Sequence, residues 1–380
     1  MIPIYRPFLP SKCLSRAHEA LESGWVSSHG RFIREATERL QELLGVKYVQ
    51  LVSNGTCATH LLSKILKFKH PQITRLYVPN NVYVAAWNAV LYDGDYDYII
   101  PIDADIETWN LHQKTLIDSW YSAKDIHEQF AAETGLLAVH NLGNIINIPE
   151  LQKNLPFLPI IEDNCEGFLG KYNNLHTGTS CLASSLSFFG NKNITSGEGG
   201  AIVTNDEESY LYARSLRGQG ESSDRYIHDK LAYNYRMTNV QAALLCGQLD
   251  CLPEILERKE AIFSIYKKGF SNSENILIQE EEENTISSNW MMGIRIIGSP
   301  GFRDISSFLK KNNIDCRPMF YPMSRHKHLQ KYAQHTDEEA SSLLAKEVLL
   351  LPSYPELTPR EQEHIMGTIK KYIKERGIER

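Results

Sequence analysis

Between residues 46 and 205, short apolar runs alternate with longer segments of helical spacing, and no other feature constrains the fold as much. Residues 46–52, 76–79, 98–102, 135–140 and 157–161 are runs of strand length, rich in β-branched and aromatic residues. Segments 57–66 and 83–90 carry their apolar residues at helical spacing. Strands alternating with helices predict an α/β fold: a mainly parallel sheet covered on both faces, with ligand groups at the carboxyl ends of the strands. Asp105, His140, Asp163 and Ser187 all stand at or just past such ends. Beyond residue 205 a helix is expected to about 221, then a second capped by Thr238 that breaks near Pro253 and resumes. Residues 272–289 turn acidic, 291–297 read as a strand, and 304–312 and 338–348 as helices. The simplest division is a large domain over 1–250, N-terminal segment included, and a smaller α+β domain over 251–380.

Inside the large domain, Ser184–Asn205 reads as strand, loop, strand, with Lys192 in the loop before Gly199-Gly200. A lysine fixed between two strands is suited to imine chemistry, because partial enclosure favours the uncharged amine. A solvated loop lysine is the alternative that this stretch leaves open. Ser53-Asn-Gly-Thr56 joins a strand to a helix, placing small side chains and free N–H groups at a positive helix end. That makes either an anion seat or an ordinary capped helix. Asp163 ends an almost wholly apolar strand, where a carboxylate needs a positive partner, a cap to bind or a ligand.

Composition narrows the classes. With 42% hydrophobic and 23% charged residues the chain is of ordinary globular type, and a formal charge of −6 without a basic block argues against nucleic acid. No apolar window reaches the length of a membrane span, and the start lacks the pattern of a secretory signal. Seven cysteines without CxxC spacing suggest free thiols, a reducing compartment and no metal site, so a cytoplasmic location is expected.

The ordered set Gly24-Trp-Val-Ser-Ser-His-Gly30, Ser53-Asn-Gly-Thr56, Val139-His140, Glu162-Asp163, Ser187-Phe-Phe-Gly-Asn-Lys192, Gly197-Glu-Gly-Gly200 and Tyr233-Asn-Tyr-Arg-Met237 resembles the DegT/DnrJ/EryC1/StrS group of sugar aminotransferases, which depend on pyridoxal phosphate. The likeness runs from about residue 2 to 370. It implies the aspartate-aminotransferase-type fold (fold type I), with a mainly parallel seven-stranded sheet in the large domain. Arg217-Gly-Gln-Gly220, Tyr226-Ile-His-Asp229, Arg317-Pro-Met-Phe-Tyr-Pro322 and Leu351-Pro-Ser-Tyr-Pro-Glu-Leu357 are most similar to the branch that aminates C4 of a GDP-linked 4-keto-6-deoxymannose to give perosamine. Viosamine formation on a UDP or dTDP carrier, a relative acting at C3 or by dehydration, and a cofactor-binding regulator stay open beside it.

The resemblance also implies roles. Lys192 matches the lysine that holds the cofactor covalently, and Asp163 the acid facing the pyridine nitrogen. Gly55, Thr56 and Ser187 match phosphate contacts, and Tyr83 the aromatic stacked on the ring. Glu166 and His140 match positions near ring and substrate. Asn234 matches a residue given to the neighbouring subunit's phosphate site, which implies a homodimer with shared active sites. Trp25, Ser27, Arg225, His228, Arg317, Phe320 and Tyr321 would surround the sugar nucleotide, and L-glutamate would be the amino donor, leaving as 2-oxoglutarate. Two departures stand out: Ala232 where glycine is usual, and Asn141-Leu-Gly-Asn144 in place of a run such as Leu-Tyr-Gly-His. Lys192 is intact, whereas a dehydrating branch carries histidine there.

Overall fold

The computed structural model describes residues 1–126, 128–334 and 336–378. Its largest sheet has seven strands: β1 (Tyr48–Val52), β2 (Arg75–Pro79), β3 (Tyr98–Ile102), β4 (Thr134–Val139), β5 (Ile160–Asp163), and two beyond the short pair β6 (Lys171–Tyr172) and β7 (Leu175–His176), namely β8 (Ser184–Ser187) and β9 (Gly200–Thr204). The order across the sheet is β1-β9-β8-β5-β4-β2-β3. Only β9 runs against the rest, pairing antiparallel with β1 and β8, while β8-β5-β4-β2-β3 is parallel throughout. The expected α/β architecture with a mainly parallel seven-stranded sheet is therefore present.

Thirteen α-helices accompany the strands among the described residues. Up to β9 these are α1 (Ser11–Glu22), α2 (Arg31–Leu44), α3 (Gly55–Lys69), α4 (Val84–Leu91), α5 (Gln113–Ile126), α6 (Glu128–Ala132) and α7 (Ile148–Asn154). After it come α8 (Glu207–Arg217), α9 (Asn239–Asp250), α10 (Leu252–Phe270), α11 (Phe302–Lys311), α12 (Glu339–Glu347) and α13 (Pro359–Glu375). None is long and apolar enough to cross a membrane. Thr238 caps α9 in a reciprocal box with Gln241, and Pro253 stands in the first turn of α10 after a break at Cys251.

Both faces of the sheet are buried, which is why its strands read as continuous apolar runs. Leu61, Leu62, Ile65 and Leu66 of α3 pack with Val52, Val78, Ile161 and Ile202 on one side. Leu40 and Leu44 of α2 and Leu245 of α9 join Leu51, Leu186 and Val203 on the other. Truncating one such wholly buried leucine to alanine costs about 2–5 kcal/mol.

A four-stranded antiparallel sheet follows, ordered β10-β12-β14-β13 from β10 (Ile276–Ile278), β12 (Met292–Ile296), β13 (Arg317–Pro318) and β14 (Val348–Leu351). Helices α10, α11 and α13 share its core with Ile294, Leu349 and Leu351. Strand-type pairings are among the contacts that tie this region to the rest. Ile2 bridges to Ile314, and β11 (Thr285–Ile286) pairs with β6 beside β7 in a small third sheet. The stretch between β11 and β12 thus runs past the loop that carries Lys192.

Candidate functional site

Lys192 lies in the twelve-residue connection between the antiparallel strands β8 and β9. The connection is closed on itself by Phe188 N–H to Gly199 O at 2.8 Å, Ser196 N–H to Phe188 O at 2.9 Å, and the Thr195 hydroxyl to Phe188 O at 3.1 Å. Tyr5 donates its hydroxyl to the Lys192 carbonyl at 2.8 Å. The side chain is only 13% exposed, and its Nζ stands 3.8 Å from Glu166 Oε1. On another side Nζ lies over the ring of Trp290, 3.8 Å from its centroid.

Glu166 is buried because the turn after β5 folds inward. Its Oε2 accepts the Leu142 N–H at 2.8 Å. Burial pushes its carboxyl up to about 7, against the opposing pull of the Lys192 ammonium and the Leu142 N–H. Asp163, the last residue of β5, accepts from the Thr59 hydroxyl at 3.2 Å through Oδ2 and from Cys165 N–H at 3.0 Å through Oδ1. Thr59 sits one turn into α3, so that helix orients the acid as well as starting beside it.

The start of α3 makes the third part. Asn54 caps the helix, its side chain accepting from Cys57 N–H at 2.8 Å. The Gly55 and Thr56 N–H groups carry no hydrogen bond of their own among the described residues. A Cβ added at Gly55 would lie 2.7 Å from Ser187 Cβ and 2.9 Å from Ser187 Oγ. The glycine is therefore required for the hydroxyl at the end of β8 to reach the helix N-terminus. Free N–H groups, a hydroxyl and a positive helix end form a cradle fit for a phosphate. The residues present thus suit a phosphorylated carbonyl cofactor: an amine, a buried acid and an anion seat converge on one end of the sheet.

The remaining predicted residues fall into two groups. His140 is fully buried, its Nε2 hydrogen-bonded to Glu162 Oε1 at 2.8 Å and its Nδ1 accepting Ile146 N–H at 3.1 Å, so the ring is the Nε2–H tautomer. It packs under Gly167, beside Glu166. Tyr83, 59% exposed, precedes α4 and faces Phe320, ring centroids 5.9 Å apart. Tyr321 is exposed next to it, and Arg317 is held by Asp315 at 2.6 Å. Trp25 and Ser27 offer their carbonyls to Asn239 and leave their side chains outside. Arg225, His228 and Asn234 are also exposed, and none of these five bonds to Lys192, Glu166 or Asp163 within the chain.

Two differences from the sequence reading matter. Asp105 does stand past β3, but its Oδ1 accepts from Glu107 N–H, Thr108 N–H and the Thr108 hydroxyl, so it closes its own turn. Trp290, in contact with the Lys192 amine, was not singled out. It comes from a segment 98 positions downstream, and only the sequence Ser287-Ser-Asn-Trp-Met291 between two short strands hinted that the chain turns there.

Residues 9–370 match the model of the DegT/DnrJ/EryC1/StrS aminotransferase family. GDP-perosamine synthase of Escherichia coli O157:H7 is 33% identical over 381 residues, covering 99% of both chains. The same-named enzyme of Vibrio cholerae is 33% identical over 379 residues, 98% of this chain and 99% of that one. Among solved structures, a GDP-4-keto-6-deoxymannose-3-dehydratase variant with bound GDP-perosamine superposes with a TM-score of 0.87 at 22% identity, covering 97% of this chain and all of that one.

Proposed function

Because the chain belongs to the DegT/DnrJ/EryC1/StrS aminotransferase family, and is with it a pyridoxal-phosphate-dependent aminotransferase, we propose that it moves an amino group from L-glutamate to C4 of a nucleotide-linked 4-keto-6-deoxyhexose, with GDP-4-keto-6-deoxymannose as substrate and GDP-perosamine as product. One observation carries the reading: a shielded lysine amine, a hydrogen-bonded buried acid and a phosphate cradle meet at the carboxyl ends of β5 and β8.

Bound there, pyridoxal phosphate supplies an electron sink for the carbon that exchanges a proton. Lys192 would hold it covalently, and the freed Nζ takes a proton from the donor's α-carbon and delivers one to C4 of the sugar. Asp163, fixed by Thr59 and Cys165, keeps the pyridine nitrogen protonated. Gly55, Thr56 and Ser187 would hold the cofactor's phosphate, Tyr83 would pack against its ring, and Glu166 and His140 would lie near it. Asn234 completes the phosphate site of a second copy. Leu231, 95% exposed, and Tyr226, 75% exposed, in the same surface loop, support a homodimer that covers them. Trp25, Ser27, Arg225, His228, Arg317, Phe320 and Tyr321 belong to the sugar-nucleotide side of the assembled site. Free cysteines throughout support a cytoplasmic setting.

Purified protein with pyridoxal phosphate, L-glutamate and each GDP-, UDP- or dTDP-linked 4-keto-6-deoxyhexose, read by mass spectrometry of the sugar nucleotide, tests this. Product from the GDP-linked mannose-series sugar alone supports perosamine formation. Product from a glucose-series sugar on UDP or dTDP replaces it with viosamine formation, and no product from any of them removes the sugar reading.

A further inference from the structure

The segment between β11 and β12 touches the lysine loop on both sides of Lys192. Trp290 Nε1–H donates to the Asn191 carbonyl at 2.8 Å. Asn193 donates its side-chain amide to the Ser288 carbonyl at 2.7 Å, and the Ser288 hydroxyl donates to the Glu166 carbonyl at 2.7 Å. The Trp290 carbonyl is itself held by the buried Lys259 Nζ at 2.8 Å. The indole is therefore anchored from its ring nitrogen and from its backbone, and it presents its face to the one amine in the site.

We propose that Trp290 is the positioning residue for the Lys192 amine: whenever that amine is not bonded to the cofactor, it rests on the indole face, within reach of the carbon that must exchange a proton. The proposal rests on the reading of Lys192 as the cofactor lysine. Its physical basis is direct. An ammonium is attracted to the face of an aromatic ring, most strongly to tryptophan and more so where water is excluded. Trp290 is 5% exposed, so water competes little for the amine there. Glu166, the nearest carboxylate at 3.8 Å, is beyond hydrogen-bond length, so it does not fix the amine's direction. A four-carbon side chain with many rotamers otherwise spreads over several positions, and a proton-transfer group misplaced by about 1 Å can lose about 100-fold in rate.

The first test uses apoenzyme labelled with carbon-13 at the lysine ε-carbons. In wild type the Lys192 ε-methylene proton resonance, assigned by its absence in Lys192→Arg, is expected upfield of the other lysines through the ring current of Trp290. In Trp290→Leu it should return to the ordinary position. An unshifted Lys192 signal in wild type, or the same shift in Trp290→Leu, overturns the proposal without touching the assignment of Lys192. The second test is rapid mixing of holoenzyme with L-glutamate. Trp290→Leu should slow the single-turnover rate about 30-fold, with affinities for pyridoxal phosphate and glutamate within about 2-fold of wild type. Trp290→Phe, which keeps a weaker face, should recover to within about 5-fold. Equal rates in all three overturn it. If Trp290→Leu does not fold, Trp290→Phe decides: a rate equal to wild type overturns the proposal, and a rate slowed about 3- to 5-fold at unchanged affinity upholds it. Retention of the visible cofactor band in Lys192→Arg would instead overturn the underlying reading of Lys192.

Discussion

Two lysines lie on either side of Trp290, and the fold treats them in opposite ways. Lys192 keeps a carboxylate and an aromatic face within 3.8 Å, surroundings that accept a charge. Lys259, in α10, is 1% exposed, donates to the carbonyls of Trp290 and Ser353 and has no carboxylate paired with it among the described residues, its nearest aromatic rings, Tyr5 and Phe263, lying farther off at 5.7 and 5.4 Å. Burial pushes its amine down to about 7. The same side chain thus lies beside charge-accepting groups in one place and is held by backbone carbonyls in the other. Burial alone does not mark a reactive lysine; what faces its nitrogen does.

The largest expected effect breaks that contrast most directly. Lys192→Ala should abolish the visible cofactor band and lower turnover by about 10⁴-fold or more, whereas Lys259→Met should keep the band and most of the activity. The reverse outcome would exchange the roles of the two lysines. Asp163→Asn should come next, slowing the reaction about 100-fold while pyridoxal phosphate still binds, measured by turnover alongside cofactor titration.

Two smaller effects sharpen the comparison through pH. With the Lys259 amine pushed down to about 7, the unfolded chain binds an extra proton between about pH 7 and 10.4, so stability rises with pH across that window. The full span is worth on the order of 4 kcal/mol, and Lys259→Met should flatten it in denaturant melts taken from pH 7 to 10. Glu166 has the opposite sign. Its carboxyl is pushed up to about 7, so the folded protein keeps a proton that the unfolded chain has lost above about pH 4.3, and stability falls as pH rises to 7. In apoenzyme Glu166→Gln should remove a loss on the order of 3 kcal/mol over that range. Identical slopes in wild type and variant would show that neither group is as buried as its surroundings indicate.

The sheet was legible because each of its strands is local, four to six residues bounded by turn formers. The reversed direction of β9 was not, since a strand's pattern of side chains is the same whichever way its neighbour runs. Strands β6, β7 and β11, two residues each, carry no periodicity to read. At the site, Lys192, Asp163 and the Ser53–Thr56 seat could be picked out because each sits where strand, turn and helix signals meet. Asp105 shared that position and proved to serve its own turn. Trp290 had no local signature, because its place is set by the Asn191 carbonyl and the Lys259 amine, both far away in sequence.

That separation also has a consequence in time. A chain emerging from the ribosome has completed β1 to β9, and exposed the lysine loop, some 85 residues before Ser288 and Trp290 are made. Until they fold back, nothing clasps Asn191 and Asn193, and the loop is open to water on that side. A product truncated before residue 288 therefore leaves Asn191 and Asn193 without these partners.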